Sequence, residues 1–163
     1  MLILGIDPGT ATLGYGIIKK LKRRKKYSPK YRCLCFGCIE TEKDLPFPKR
    51  LLLLSKEMRK IVKKYQPDIV AMETLFFFQN KKTAIQVSQA TGAIILTLER
   101  LKLPIREFTP QEVKKALTKN GRANKKDIEK KVRRILRIKK PIYPDDAADA
   151  LAIAVCAAKK IKV

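Results

Sequence analysis

The chain has 163 residues, 45% of them hydrophobic, with 38 Lys and Arg against 15 Asp and Glu for a net charge of +23. That length suits one domain over residues 1–163 with a real core; the apolar content excludes general disorder, and no apolar run approaches the roughly 18 residues of a membrane span. The positive surplus implies a polyanionic partner, nucleic acid ahead of an anionic membrane surface, and the absence of histidine leaves only carboxylates and thiolates to hold a metal.

Leu2 to Gly16 reads LILGIDPGTATLGYG. An apolar run leads into Ile6-Asp7, Pro8-Gly9 breaks it, and a second run leaves through Tyr15–Ile18, which predicts a buried strand, a turn and a returning strand. Asp7 is the odd residue, because a carboxylate at the end of a core strand is costly to desolvate unless a partner or metal compensates. No cationic region precedes this stretch, so no signal peptide is expected. Residues 19–26, KKLKRRKK, are basic at seven of eight positions; they read as a hairpin tip, either a solvated loop or a phosphate contact. A third strand is expected over Tyr31–Thr41. It holds Cys33, Cys35 and Cys38, with Cys33 and Cys35 on one face. Only Cys156 remains to complete a zinc site, so all four cysteines read as small hydrophobes in a reducing cytoplasm.

Pro46 and Pro48 open a helix whose core stripe is Leu51, Leu54, Met58, Ile61 and Tyr65. Ile69–Met72 is a short apolar strand, and Glu73 puts a second carboxylate at a buried strand's end. Phe76-Phe77-Phe78 follows, rings that either pack in the core or stack on an unpaired base. Lys81–Leu101 is a long helix with Ala84, Val87, Thr91, Ile94, Ile95 and Leu98 inward and the small residues Ser88, Ala90, Gly92 and Ala93 midway. Leu103–Phe108 supplies the fifth strand. Thr109 then caps a helix with Pro110 in its first turn. Thr118–Lys126 reads as a loop, Asp127–Ile138 as a basic amphipathic helix with Ile128, Val132 and Ile135 inward, and Asp145–Ala154 as a buried, alanine-rich helix with Asp145 at its N-cap. Asp146 and Asp149, three apart, share one face of that helix.

The order predicts an α/β fold: a five-stranded mixed sheet, three antiparallel strands then two parallel, flanked by helices. Two strand-end carboxylates and an acidic helix face put four negative charges together, an arrangement that repels itself unless divalent cations lie between them. All-oxygen ligation favours Mg²⁺ or Mn²⁺, and a pair of such ions about 4 Å apart is the apparatus for in-line attack on a phosphodiester. Asp7, Glu73, Asp146 and Asp149 are therefore the candidate catalytic and metal-holding residues of a nuclease.

ILGIDPGTATLGYG, Glu73-Thr74-Leu75-Phe76 with Asn80, Gln89-Ala90-Thr91-Gly92 and DAADALAIA at 146–154 together resemble the RuvC family of crossover (Holliday) junction endodeoxyribonucleases, within the RNase H-like superfamily. The resemblance implies an RNase H-like fold, the family's four acids on Asp7, Glu73, Asp146 and Asp149, its DNA-contacting phenylalanine on Phe76, and its two flanking lysines on Lys114 and Lys125. It further implies a homodimer that nicks opposed strands of four-way junction DNA symmetrically with Mg²⁺, leaving 5′-phosphate and 3′-hydroxyl ends, with RuvA and RuvB as branch-migration partners. The small-residue patch of the long helix is the expected dimer contact. Three rivals are a phosphate-loop ATPase of the actin and sugar-kinase type, since IDPGT resembles that group's first phosphate turn, a junction-binding module without catalysis, and a related nuclease with another structured substrate.

Overall fold

The computed structural model describes residues 1–21, 30–74 and 81–161. In chain order these form β1 (Leu2–Asp7), β2 (Thr12–Lys20), β3 (Tyr31–Glu40), α1 (Phe47–Tyr65), β4 (Ile69–Glu73), α2 (Lys81–Arg100), β5 (Ile105–Phe108), α3 (Pro110–Thr118), α4 (Lys125–Leu136) and α5 (Asp145–Lys160). They build one five-stranded sheet in the order β3-β2-β1-β4-β5, antiparallel across β1, β2 and β3 and parallel from β1 through β4 to β5. This is the mixed sheet the element order predicts.

Both faces of the sheet are covered, which is why β1 and β4 read as continuous apolar runs rather than alternating ones. Ile3, Ile18, Ile69 and Ala71 pack with α5, α3 and α4 on one face. Leu4, Ile6, Ile17, Val70 and Met72 pack with α1 and α2 on the other. Successive strand residues point to opposite faces. Asp7 therefore falls on the α5 side, in step with Ile3, and Glu73 falls there too, in step with Ile69 and Ala71. Parallel pairing of Ile6 with Met72 sets the two strand ends side by side.

The helix that covers this face comes unusually close. A Cβ on Gly5 would enter the Ala150 carbonyl, one on Gly14 would enter the Asp146 carbonyl, and one on Gly16 would meet Leu151. Glycine in the sheet and alanine in α5 together permit the approach. Ala147, Ala150 and Ala154 have no solvent exposure.

Several local expectations change. Asp145 is the first helical residue of α5, and Pro144, extended at φ −69° and ψ 170°, occupies the N-cap without a side-chain bond. α4 begins at Lys125, because Asn124 caps it by accepting from the Asp127 amide, so part of the expected loop is helix. Its buried stripe is Ile128, Val132 and Leu136, with Ile135 turned partly out. The β2–β3 register slips between Ile17 and Ile18, which pair with Cys35 and Cys33. That irregularity reverses the alternation, so Cys33 packs toward α5 while Cys35 lies against Tyr15 and Tyr65 on the opposite face. The small-residue patch of α2 is also divided, with Ala90 buried in the core and Gly92 facing open space. Among the described residues no helix is long and apolar enough to cross a membrane.

Candidate active site

Asp7, Glu73 and Asp149 line one open depression of about 360 Å³, with Lys114, Lys125, Pro110 and Val113 around them. β1, β4 and α5 each supply one carboxylate to it, and α3 and α4 each supply one lysine. Asp146 is half-buried one turn before Asp149. It is not among the lining residues, but it acts electrostatically on Asp7 and on Cys38. Phe76 and its two neighbouring phenylalanines lie outside the described residues, as does most of the basic tract. Within that tract Lys20 ties the fold together, its Nζ donating to the Ile161 carbonyl at 2.7 Å.

The electrostatics are those of a site short of positive charge. Burial pushes the Asp7 carboxyl well above the usual carboxylate range; Asp149, Glu73 and Asp146 push it further, and Lys125 opposes them. Glu73 is raised by burial and then by Asp149, against Lys114 and Lys125. Lys125 Nζ stands 3.1 Å from Asp149 Oδ2, and that hydrogen bond raises the ammonium's pKa. Two lysines thus offset part of the acidic field without cancelling it.

A polar latch that sequence patterns did not reveal fixes the turn after Asp7. The Thr41 amide donates to the Ala11 carbonyl at 2.9 Å, and Thr41 Oγ1 donates to the Thr10 carbonyl at 2.7 Å. Arg50, from α1, donates to that same carbonyl at 2.6 Å and to Thr41 Oγ1 at 2.8 Å. Thr41 is only 6% exposed, so the network is shielded from water. No motif marks these residues, because their partners are backbone oxygens far away in sequence.

The donor set suits hard divalent cations: all-oxygen, multiply anionic and partly desolvated. Among the described residues no three acidic or thiol side chains already stand at ion-holding separation. The acids are gathered on one face, and the carboxyls of Asp7 and Glu73 are raised by burial and by their acidic neighbours.

Comparison with known proteins identifies the family. The family model described as crossover junction endodeoxyribonuclease RuvC matches residues 3–157. The chain is similar to crossover junction endodeoxyribonuclease RuvC of Desulfitobacterium hafniense, 45% identical over 163 residues, covering 100% of this chain and 95% of that protein. The counterpart from Petrotoga mobilis is 44% identical over 156 residues, covering 96% and 92%. Among solved structures, Thermus thermophilus RuvC in complex with Holliday junction substrate aligns with a TM-score of 0.87 at 32% identity, over 97% of this chain and 93% of that one.

Proposed function

The chain belongs to the RuvC family of crossover junction endodeoxyribonucleases, and from that premise we propose how it cuts. It is a metal-dependent endonuclease of recombination and repair that resolves Holliday junctions. Asp7, Glu73, Asp146 and Asp149 are its catalytic and metal-holding acids, for Mg²⁺ with Mn²⁺ as substitute, two ions per site. Such ions, when bound, lower the pKa of the attacking water and stabilise the leaving oxygen. Lys114 and Lys125 face the reacting phosphate and counter the charge that builds on it. Phe76 stacks on a base at the exchange point.

Residues 1–163 act as one domain and the molecule works as a cytoplasmic homodimer, so that two sites nick opposed strands symmetrically and leave 5′-phosphate and 3′-hydroxyl ends. RuvA and RuvB are its proposed partners. One observation carries the reading: strand alternation turns Asp7 and Glu73 to the same sheet face, where α5 brings Asp149 to them between two lysines. A junction-binding module without catalysis has no use for half-buried acids gathered so closely that Asp7 and Glu73 are held above the usual carboxylate range.

The test is incubation with a synthetic immobile junction, a linear duplex and a Y-fork, with and without Mg²⁺. Paired nicks in the junction alone, dependent on Mg²⁺, are expected. An intact junction in Mg²⁺, or a duplex cut equally well, overturns the reading.

A further inference from the structure

The cleavage depression does not end at Lys125. A second depression shares Lys125 and Asp149 with it and continues past Lys126 and Lys130. A third shares Lys130 and Arg133 with the second and runs on to Arg134 and Arg137. Together they follow α4 from its first residue to its C-cap.

We propose that this outer face of α4 is a track for the phosphate backbone of one duplex arm, leading away from the cut. Ile128, Val132 and Leu136 are buried on the inner face, which turns Lys126, Lys130, Arg134 and Arg137 outward at spacings of four, four and three. Of the acids nearby, Glu129 pairs with Arg133 at 3.7 Å and accepts from the Ile142 amide at 3.2 Å, and Asp149 is held by Lys125; Asp145 stands at the groove's edge and Asp127 is exposed in the first turn of α4, two acids against four outward cations. Arg133 also donates to the Ile138 and Lys139 carbonyls, so it closes the end of α4 rather than reaching outward. Among the described residues, Lys126, Lys130, Arg134 and Arg137 form no ion pair. Like charges four apart on a helix repel, and a polyanion laid along them converts that repulsion into attraction.

The length suits a duplex arm. Twelve residues of α4 span about 18 Å at a rise of ~1.5 Å each, about five base steps of a duplex measured along its axis at ~3.4 Å each. Because each strand winds around that axis, only a few of its phosphates face the helix at once, on the scale of the four outward cations. The track rests on the reading that the adjoining acids cut a junction, and it adds a direction: the arm on one side of the cut lies along α4.

The test uses the full chain carrying Lys126→Gln, Lys130→Gln and Arg134→Gln together, exposed positions at which glutamine keeps helix propensity. Junction affinity is measured without divalent ions from about 50 to 200 mM salt, where each lost phosphate contact removes ~0.9 from the log–log slope. A drop of about 2 to 3 is expected. Phosphate-ethylation interference is expected to vanish at about two or three phosphates on one side of the cut and to persist elsewhere. A control variant with Lys56→Gln, Arg59→Gln and Lys63→Gln on α1 removes equal charge. An unchanged slope, an unchanged interference pattern or an equal effect in the control overturns the track, while the parental chain still cutting the junction keeps the resolvase reading standing. A parental chain that leaves the junction intact overturns that reading, and the track with it.

Discussion

A negative charge on Asp7 is costly to this fold. Its carboxyl is raised by burial and by three neighbouring acids, and Glu73 is raised in the same sense. A carboxyl whose folded pKa lies above its unfolded value binds its proton more tightly in the native state. That contribution to stability is fully present below the unfolded value, near 4, and is lost as pH rises through the folded one. The metal-free chain is therefore expected to melt lower as pH climbs from about 4 toward neutrality, and divalent ions to restore part of the loss. Asp7→Asn removes the charge while keeping the shape. At pH 7 the metal-free variant should melt higher than the parent, at about 2–4 °C per kcal/mol gained, show a smaller Mg²⁺-induced rise, bind junctions and fail to cut them. Thermal melts with and without Mg²⁺, a gel shift with junction DNA and a cleavage gel check all four outcomes; a melting point below the parent's would mean that the carboxylate is not under electrostatic load. Asp7 and Glu73 were legible in the sequence because a charge ending an apolar strand breaks a simple rule. The Arg50–Thr41 latch breaks none: its residues have ordinary local surroundings, and only the fold brings them to the Thr10 carbonyl.

At the scale of elements, the site depends on how closely α5 lies on β1 and β2. Gly14→Ala would drive a methyl group into the Asp146 backbone and lift the helix that carries both aspartates. Overpacking of this kind costs about 1–3 kcal/mol, so a lowered melting point and a larger loss of cutting than of binding are expected, read from a melt and a single-turnover assay. α3 is anchored to the other end of α5. Glu112 accepts from Lys160 and from the Thr109 amide in a capping box, and these bonds, that of Lys160 first, pull its carboxyl down to about 2. A depressed carboxyl stabilises the fold above its unfolded value, near 4.5, and loses that contribution as pH falls toward 2. Glu112→Gln should therefore flatten the acid limb of the stability curve between about pH 4.5 and 2 while leaving its alkaline limb unchanged, as acid titrations of far-ultraviolet circular dichroism would record. The pair is exposed, so solvent screening keeps the effect small. Thr109-Pro110 was legible because capping chemistry is local. The opposite orientations of Cys33 and Cys35 were not, since a register slip is set by the partner strand, and neither was the Pro144 cap, since Asp145 carries the same chemistry one position later.

Over the whole molecule, charge and apolar surface divide the labour. The net +23 supplies attraction to any polyanion, and on the proposed reading it becomes selective only where geometry would arrest the DNA, at the acids and along α4. The other side of the sheet has a different character. On α2, Ile85 is 69% exposed and Leu96 54%, and Gly92 opens onto free space between them. Positions 85, 89, 92 and 96 fall on one helical stripe, opposite the buried Ala90, Ile94 and Leu98. On α1, Leu52 is 70% exposed one turn from Ser55, whose hydroxyl meets that of the buried Thr97 of α2 at 2.8 Å. A stripe of large exposed side chains around a glycine suits a second copy of itself, because a two-fold axis matches the patch to its twin. Leu96→Glu puts like charges across that axis and should convert the proposed dimer to monomer in sedimentation at micromolar concentration, with little change in melting behaviour because the side chain is already exposed. Each monomer keeps an intact site, so nicking should persist while the two cuts lose their coordination, and singly nicked junctions should accumulate on a time course. Coordinated paired cuts from a demonstrably monomeric variant would mean that the two strands are matched by the junction's own symmetry and not by the protein's.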